Sequence, residues 1–159
     1  MAGAKTDLTR DFRDLLQAFV DHEVRFLVVG AYALAIHGHP RATGDLDLWI
    51  EPTPENAERA YAALADFGAP LHELTREDLA TPSTVFQIGL PPLRIDVLTR
   101  LTGLDFGPAF GRRIEADFEG VRVPVVGRED FLANKRALGR ARDLADAERL
   151  DPPEPQGRE

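Results

Sequence analysis

Residues 25–50 read RFLVVGAYALAIHGHPRATGDLDLWI, and the fold turns on how this stretch divides. Arg25 to Gly30 has the β-branched and aromatic content of a buried strand, and Ala31 to His37 has the alanine-rich make-up of a short helix. Gly30-Ala31 is then a strand-to-helix junction. Glycine there lets a ligand approach the backbone closely, and the first-turn N–H groups of the helix point outward, where a phosphate would sit. After the loop Gly38-His-Pro-Arg-Ala-Thr-Gly44, the run Asp45-Leu-Asp-Leu-Trp-Ile50 alternates polar and apolar residues. Side chains at i and i+2 of a strand share a face about 6.6–6.8 Å apart. Asp45 and Asp47 therefore stand together while Leu46, Leu48 and Ile50 face the other way. Two carboxylates at that spacing repel, and a divalent cation between them relieves the repulsion. Oxygen-only ligation of this kind suits Mg²⁺ carrying nucleotide phosphates better than Zn²⁺.

The rest of the chain narrows the alternatives. Its 159 residues, 43% of them hydrophobic, are enough for one domain with a substantial core and few for two. A single domain over residues 1–150 is expected. A formal net charge of −8 argues against a broad basic surface for nucleic acid, although a local arginine groove stays open. With no cysteine, disulfides, zinc–thiolate sites and thiol nucleophiles are excluded. The polar N-terminus and the lack of a long apolar run lead to the expectation of a cytoplasmic protein without a membrane span.

The remaining elements follow from periodicity and caps. Leu8 to His22 spaces its apolar residues as a helix, with Thr6 or Asp7 available as N-cap. Pro54 starts a helix that Gly68 ends. Leu74 to Ala80 reads as a helical turn, and Val85 to Leu90 and Leu93 to Thr99 as strands. Asp96 is an acid within an apolar β-prone run. An unpartnered carboxylate there is costly, so this strand is expected to lie beside the Asp45–Glu51 strand and add a third oxygen ligand. Asp105 to Arg113 is ambiguous, and Ile114–Phe118 with Val121–Val126 reads as a hairpin at the sheet edge. Glu129–Leu138 and Arg142–Leu150 are expected helices, and residues 151–159 have the composition of a disordered tail. The predicted class is α+β, a mixed sheet flanked by helices.

Several polar residues have a functional and a plainer reading. His37 and His39 flank a glycine and read more readily as surface or capping residues than as ligands. Arg41 and Thr43 precede the acidic pair closely enough for Arg41 to reach a phosphate bound there. Lys135 is one of only two lysines, and its stem borders a buried helix face; its ammonium either snorkels or reaches a nucleotide phosphate. Arg140, Asp143 and Asp146 fit an i,i+3 charge network that pins the last two helices together.

Together these residues resemble the minimal nucleotidyltransferases of the DNA polymerase β superfamily. The resemblance rests on the hydrophobic strand Phe26–Val29, the Gly30-Ala31 turn, Asp45-Leu-Asp47 and the later acid Asp96. It is closest to a bacterial subgroup with a His-Gly-x-x-Arg-x-Thr-x-Asp-x-Asp core and a second motif present here as Asn134-Lys-Arg-Ala-Leu-Gly-Arg-Ala-Arg-Asp143. Ala31 departs from the pattern, standing where the family has a second Gly or a Ser. The resemblance implies that Asp45, Asp47 and Asp96 are the catalytic metal ligands for Mg²⁺ or Mn²⁺. It also implies that Gly30, Ala31, Arg41, Thr43 and Lys135 bind the nucleotide.

The implied activity is two-metal transfer of a nucleoside monophosphate from an NTP, with ATP expected, to an acceptor hydroxyl. The acceptor is open among a protein side chain, a tRNA end and a small molecule, and homo-oligomerisation or a partner protein would supply what so short a chain leaves out. The alternative is a toxin–antitoxin component that acts by binding its partner.

Overall fold

A computed structural model of the chain describes residues 3–39, 45–89 and 94–153, with side chains from residue 10 onward. Its centre is a six-stranded mixed sheet. In chain order the elements are α1 (Gly3–Asp21), β1 (Phe26–Val29), α2 (Gly30–Ile36), β2 (Asp45–Ile50), α3 (Pro54–Phe67), α4 (Arg76–Ala80), β3 (Val85–Ile88), β4 (Arg94–Leu98), α5 (Phe106–Gly111), β5 (Ile114–Phe118), β6 (Val121–Val125), α6 (Arg128–Leu138) and α7 (Ala141–Leu150). The strands lie in the order β3-β4-β2-β1-β6-β5. Pairing of β2 with β4 and of β1 with β6 is parallel, and the other three pairings are antiparallel. The α+β class and the mixed sheet are as expected. Asp96 lies on the neighbour of the Asp45 strand, and β5 of the terminal hairpin forms the sheet edge.

Local chemistry explains where the elements stop. Thr53 caps α3 by accepting from the Asn56 N–H, Pro54 occupies the first turn, and Gly68 closes the helix in the left-handed conformation at φ +95°. Thr75 and Asp78 form a reciprocal capping box on α4. The helix α1 begins at Gly3, upstream of both candidate caps, because the alanine and lysine before Thr6 continue the helical run. The ambiguous stretch before β5 contains the short helix α5.

The core is continuous. Leu27, Leu46, Leu48, Trp49 and Ile50 from the central strands are buried with Leu15, Leu16 and Phe19 of α1, Leu64 of α3 and Phe131 of α6. Both faces of β2 are covered at its far end, where Trp49 meets Phe106 of α5 edge to face, with ring centroids 5.1 Å apart. This leaves the opposite end of β2, with Asp45 and Asp47, as the polar part of that strand face.

Buried polar groups fix the frame at both ends of the sheet's central strands. Asn56 accepts from the Arg25 N–H at 2.7 Å and donates to the carbonyls of Arg25 and Glu51 at 3.0 and 2.9 Å. It thereby locks the exit of β2 to the entrance of β1. Asp130 at the start of α6 takes a two-pronged contact from Arg112, 2.9 Å on each arm, and Asn134 donates to the Thr102 carbonyl at 2.8 Å. These contacts dock α6 and its Lys135 against the segment between β4 and β5.

Candidate active site

The parallel register of β2 and β4 builds the site. Asp45 lies opposite Arg94, Asp47 opposite Asp96, and Trp49 opposite Leu98. Register sets Val29, Asp47, Asp96 and Gln87 in one row across four strands, and Asp45 shares the face of Asp47 because alternate side chains do. The three predicted acids thus come together at one end of the sheet. They line a pocket of about 370 Å³ with Gly30, Ala31, Arg94 and, from the facing helices, Asn134, Lys135, Arg140, Arg142, Asp143 and Asp146.

Gly30 has a reason beyond ligand access. Its φ of +71° lies in the left-handed region, and a Cβ there would run into Asp47 Oδ2 and come within 3.1 Å of its Cγ. The turn glycine therefore makes room for the acid of the next strand. Ala31 follows it as a buried helical residue.

The electrostatics are those of crowded carboxylates. Burial pushes Asp47 up to about 6; Asp96 and Asp45 add to the effect and Lys135 works against it. Asp96 is raised too, by burial first and then by Asp45, against the pull of Arg94 and of hydrogen bonds with Asp47 and Gln87. Arg94 spans two of the acids. Its Nη2 is 3.4 Å from Asp45 Oδ2 and its Nε is 3.5 Å from Asp96 Oδ1.

Lys135 is buried, with its Nζ 3.5 Å from both Asp143 Oδ1 and Asp146 Oδ2. Arg140 also contacts Asp143 through Nε, and its Nη2 is 3.4 Å from the other oxygen. Burial would raise Asp143, but the Arg140 hydrogen bond and Lys135 hold it below the usual carboxylate range. The network joins α6 to α7, as the charge spacing suggested, and it faces the pocket as well. His37 Nε2 sits 2.9 Å from the Val126 carbonyl, which ties the end of α2 to β6 and fits the plainer reading of that histidine. Arg41 and Thr43 lie outside the described residues, as does most of the predicted tail.

Sequence reading assigned no site role to Arg94 or Gln87, and Asn134 and Arg142 stood in the second motif without one. The alternation that exposed Asp45 and Asp47 also places Arg94 beside Asp96 on β4, so the signal for Arg94 was present.

Among the described residues, no three His, Cys, Asp or Glu side chains already converge on one metal position; Asp45 and Asp96 converge on the Arg94 guanidinium instead. The donor set nevertheless suits a hard divalent cation. It offers carboxylate oxygens alone, on adjacent strands, and Asp96 Oδ1 is buried without a hydrogen-bond partner.

No protein-family model matches the chain, and no curated protein matches it. Solved structures do. The Thermotoga maritima protein TM1012, assigned as a nucleotidyltransferase, is 18% identical, with a TM-score of 0.57 over 89% of this chain and 88% of that one. The lincosamide antibiotic adenylyltransferase LnuA, solved with lincomycin bound, is 14% identical, with a TM-score of 0.58 over 90% and 96%. The antibiotic-resistance factor ANT(2'')-Ia is 15% identical, with a TM-score of 0.58 over 91% and 82%. The chain shares its fold with these three solved structures.

Proposed function

We propose that this protein is an Mg²⁺-dependent nucleotidyltransferase that moves a nucleoside monophosphate from an NTP, with ATP the first candidate, to an acceptor hydroxyl. The observation that carries the reading is the placement of Asp45, Asp47 and Asp96 on two adjacent parallel strands, facing one pocket with the Gly30-Ala31 turn and Lys135. On this reading residues 1–150 act as a single catalytic domain.

Asp45, Asp47 and Asp96 would hold Mg²⁺, or Mn²⁺, in a two-metal arrangement. When bound, the metal neutralises the triphosphate and the departing pyrophosphate. Gly30 and Ala31 leave the backbone open to the phosphates, and Lys135, steadied by Asp143 and Asp146, supplies fixed positive charge on the opposite wall. Arg41 and Thr43 would add contacts from the loop before β2. The acceptor oxygen attacks the α-phosphorus, and the bond from that phosphorus to the bridging α–β oxygen breaks. Pyrophosphate leaves, and Asp96 takes the acceptor proton. No covalent intermediate on the protein is needed.

Two of the structural neighbours are named for antibiotics, which puts small hydroxylated molecules ahead of proteins and tRNA as acceptors to try. The acidic chain points away from tRNA in the same direction. No observation in the fold favours the partner-binding alternative.

Calorimetry with ATP, with and without Mg²⁺, tests the reading on wild-type protein and on the Asp45→Asn/Asp47→Asn double variant. Metal-dependent binding that the double variant loses supports it. Folded wild-type protein that binds no NTP under any metal condition would refute it.

A further inference from the structure

We propose that Arg94 is a positioning residue of the cation site, a placeholder whose guanidinium occupies the space between Asp45 and Asp96 until a divalent cation displaces it. The inference rests on the nucleotidyltransferase reading and assigns a role to a residue outside the acidic triad.

Arg94 lies directly across from Asp45 and two residues before Asp96, so its side chain rises on the acid-bearing face with a carboxylate on either side. Its contacts with them are long, at 3.4 and 3.5 Å. Both Nε of Arg94 and Oδ1 of Asp96 are buried without a hydrogen-bond partner. An arginine serving as a permanent strut looks different in this same protein, where Arg112 grips Asp130 with two arms of 2.9 Å each. The Arg94 clasp offsets carboxylate repulsion while leaving its own Nε and Asp96 Oδ1 without a hydrogen bond. A contact of that kind holds acids in place and gives way readily to a stronger cation.

The competition has a direct consequence. A cation entering between Asp45 and Asp96 must expel a resident positive charge, so removing that charge should tighten metal binding. A purely structural arginine would behave in the opposite way, since its loss would disorder the ligands and weaken binding.

The test is titration of Mn²⁺ alone, without nucleotide, at pH 8, into wild type, Arg94→Gln and Arg94→Lys, followed by calorimetry. Melting curves in EDTA and in Mn²⁺ are recorded for each protein. The expected result is at least tenfold tighter Mn²⁺ binding by Arg94→Gln, with Arg94→Lys between it and wild type. Arg94→Gln should also melt lower in EDTA and recover more than wild type on adding Mn²⁺. Unchanged or weaker Mn²⁺ binding by a folded Arg94→Gln protein overturns the proposal, as does the absence of Mn²⁺ binding in all three. If wild type binds Mg²⁺–ATP in a metal-dependent way while Arg94→Gln shows no gain for Mn²⁺, the placeholder role alone falls and nucleotidyl transfer stands. If Arg94→Gln gains Mn²⁺ affinity but no protein binds any NTP, the cation site stands and the transferase reading falls.

Discussion

Gly30 and Asp47 occupy each other's space: the missing Cβ of the first is where the carboxylate of the second sits. The strand-to-helix turn and the acidic strand are therefore one unit. Gly30→Ala should cost about 1–2 kcal/mol of stability through its positive φ, and it should also push Asp47 out of the row. The expected outcome is a folded protein with a modestly lowered melting temperature and Mg²⁺–ATP binding as poor as that of Asp47→Asn. Calorimetry beside a thermal melt checks both halves. Normal nucleotide binding by Gly30→Ala would show that the Asp47 side chain can be accommodated elsewhere.

Asn56 predicts a larger structural effect at a distance from the chemistry. Its side-chain amide satisfies one backbone N–H and two carbonyls where β1 begins and β2 ends, and it is almost completely buried. Asn56→Ala would leave these groups unpaired, at a cost of about 2–4 kcal/mol. Asn56→Asp should be no better, because it presents oxygens to the carbonyls of Arg25 and Glu51. Urea denaturation should show both variants with lowered midpoints and an unchanged slope.

The contrast between Asn56 and Asp96 shows what this sequence discloses. Asp96 was legible because a lone acid interrupts an apolar strand, and a buried carboxylate demands a partner. Asn56 follows a proline in the first turn of a polar helix, where an asparagine reads as a surface residue. Nothing local reveals that two backbone groups of the distant Arg25 converge on it with the Glu51 carbonyl. Register is similarly hidden. Alternation placed Asp45 and Asp47 on one face, but only the parallel pairing of β2 with β4 sets Arg94 beside Asp45, and only the antiparallel pairing of β3 with β4 sets Gln87 beside Asp96. Lys135 stood out by its rarity, while the two carboxylates that hold it were legible only as helix spacing.

The Lys135–Asp143–Asp146 network should behave as a structural and a functional element at once. Asp143 is buried beside Lys135 and Arg140, and removing one partner of a buried pair costs about 3–5 kcal/mol. Asp143→Ala should accordingly destabilise the α6–α7 pair and weaken ATP binding by loosening Lys135. Because the folded protein lowers the Asp143 pKa, the ionised form stabilises the fold above the ordinary carboxylate range. That contribution is lost as pH falls through the folded value. Stability measured from pH 7 down to pH 3 should therefore fall more steeply for wild type than for Asp143→Ala. Parallel curves would deny Asp143 this role.

Asp47 carries the opposite sign. Its folded pKa is raised to about 6, chiefly by burial, whereas an unfolded chain titrates it near the ordinary value of about 3.9. The folded state binds this proton more tightly, so the contribution of Asp47 to stability is most favourable below the unfolded value. It is lost progressively as pH rises through about 6. At neutral pH without metal, the ionised Asp47 is thus a liability that the site retains for its chemistry. Asp47→Asn keeps the shape, removes the charge, and should raise stability in EDTA at pH 7.5 by about 1–3 kcal/mol. The gain should shrink towards zero near pH 4, and added Mg²⁺ should narrow it at pH 7.5 by stabilising wild type alone. Melting curves of the two proteins across this pH range, with and without metal, check the sign directly. A wild type that is the more stable of the two at pH 7.5 in EDTA would mean that Asp47 is satisfied by the protein without metal.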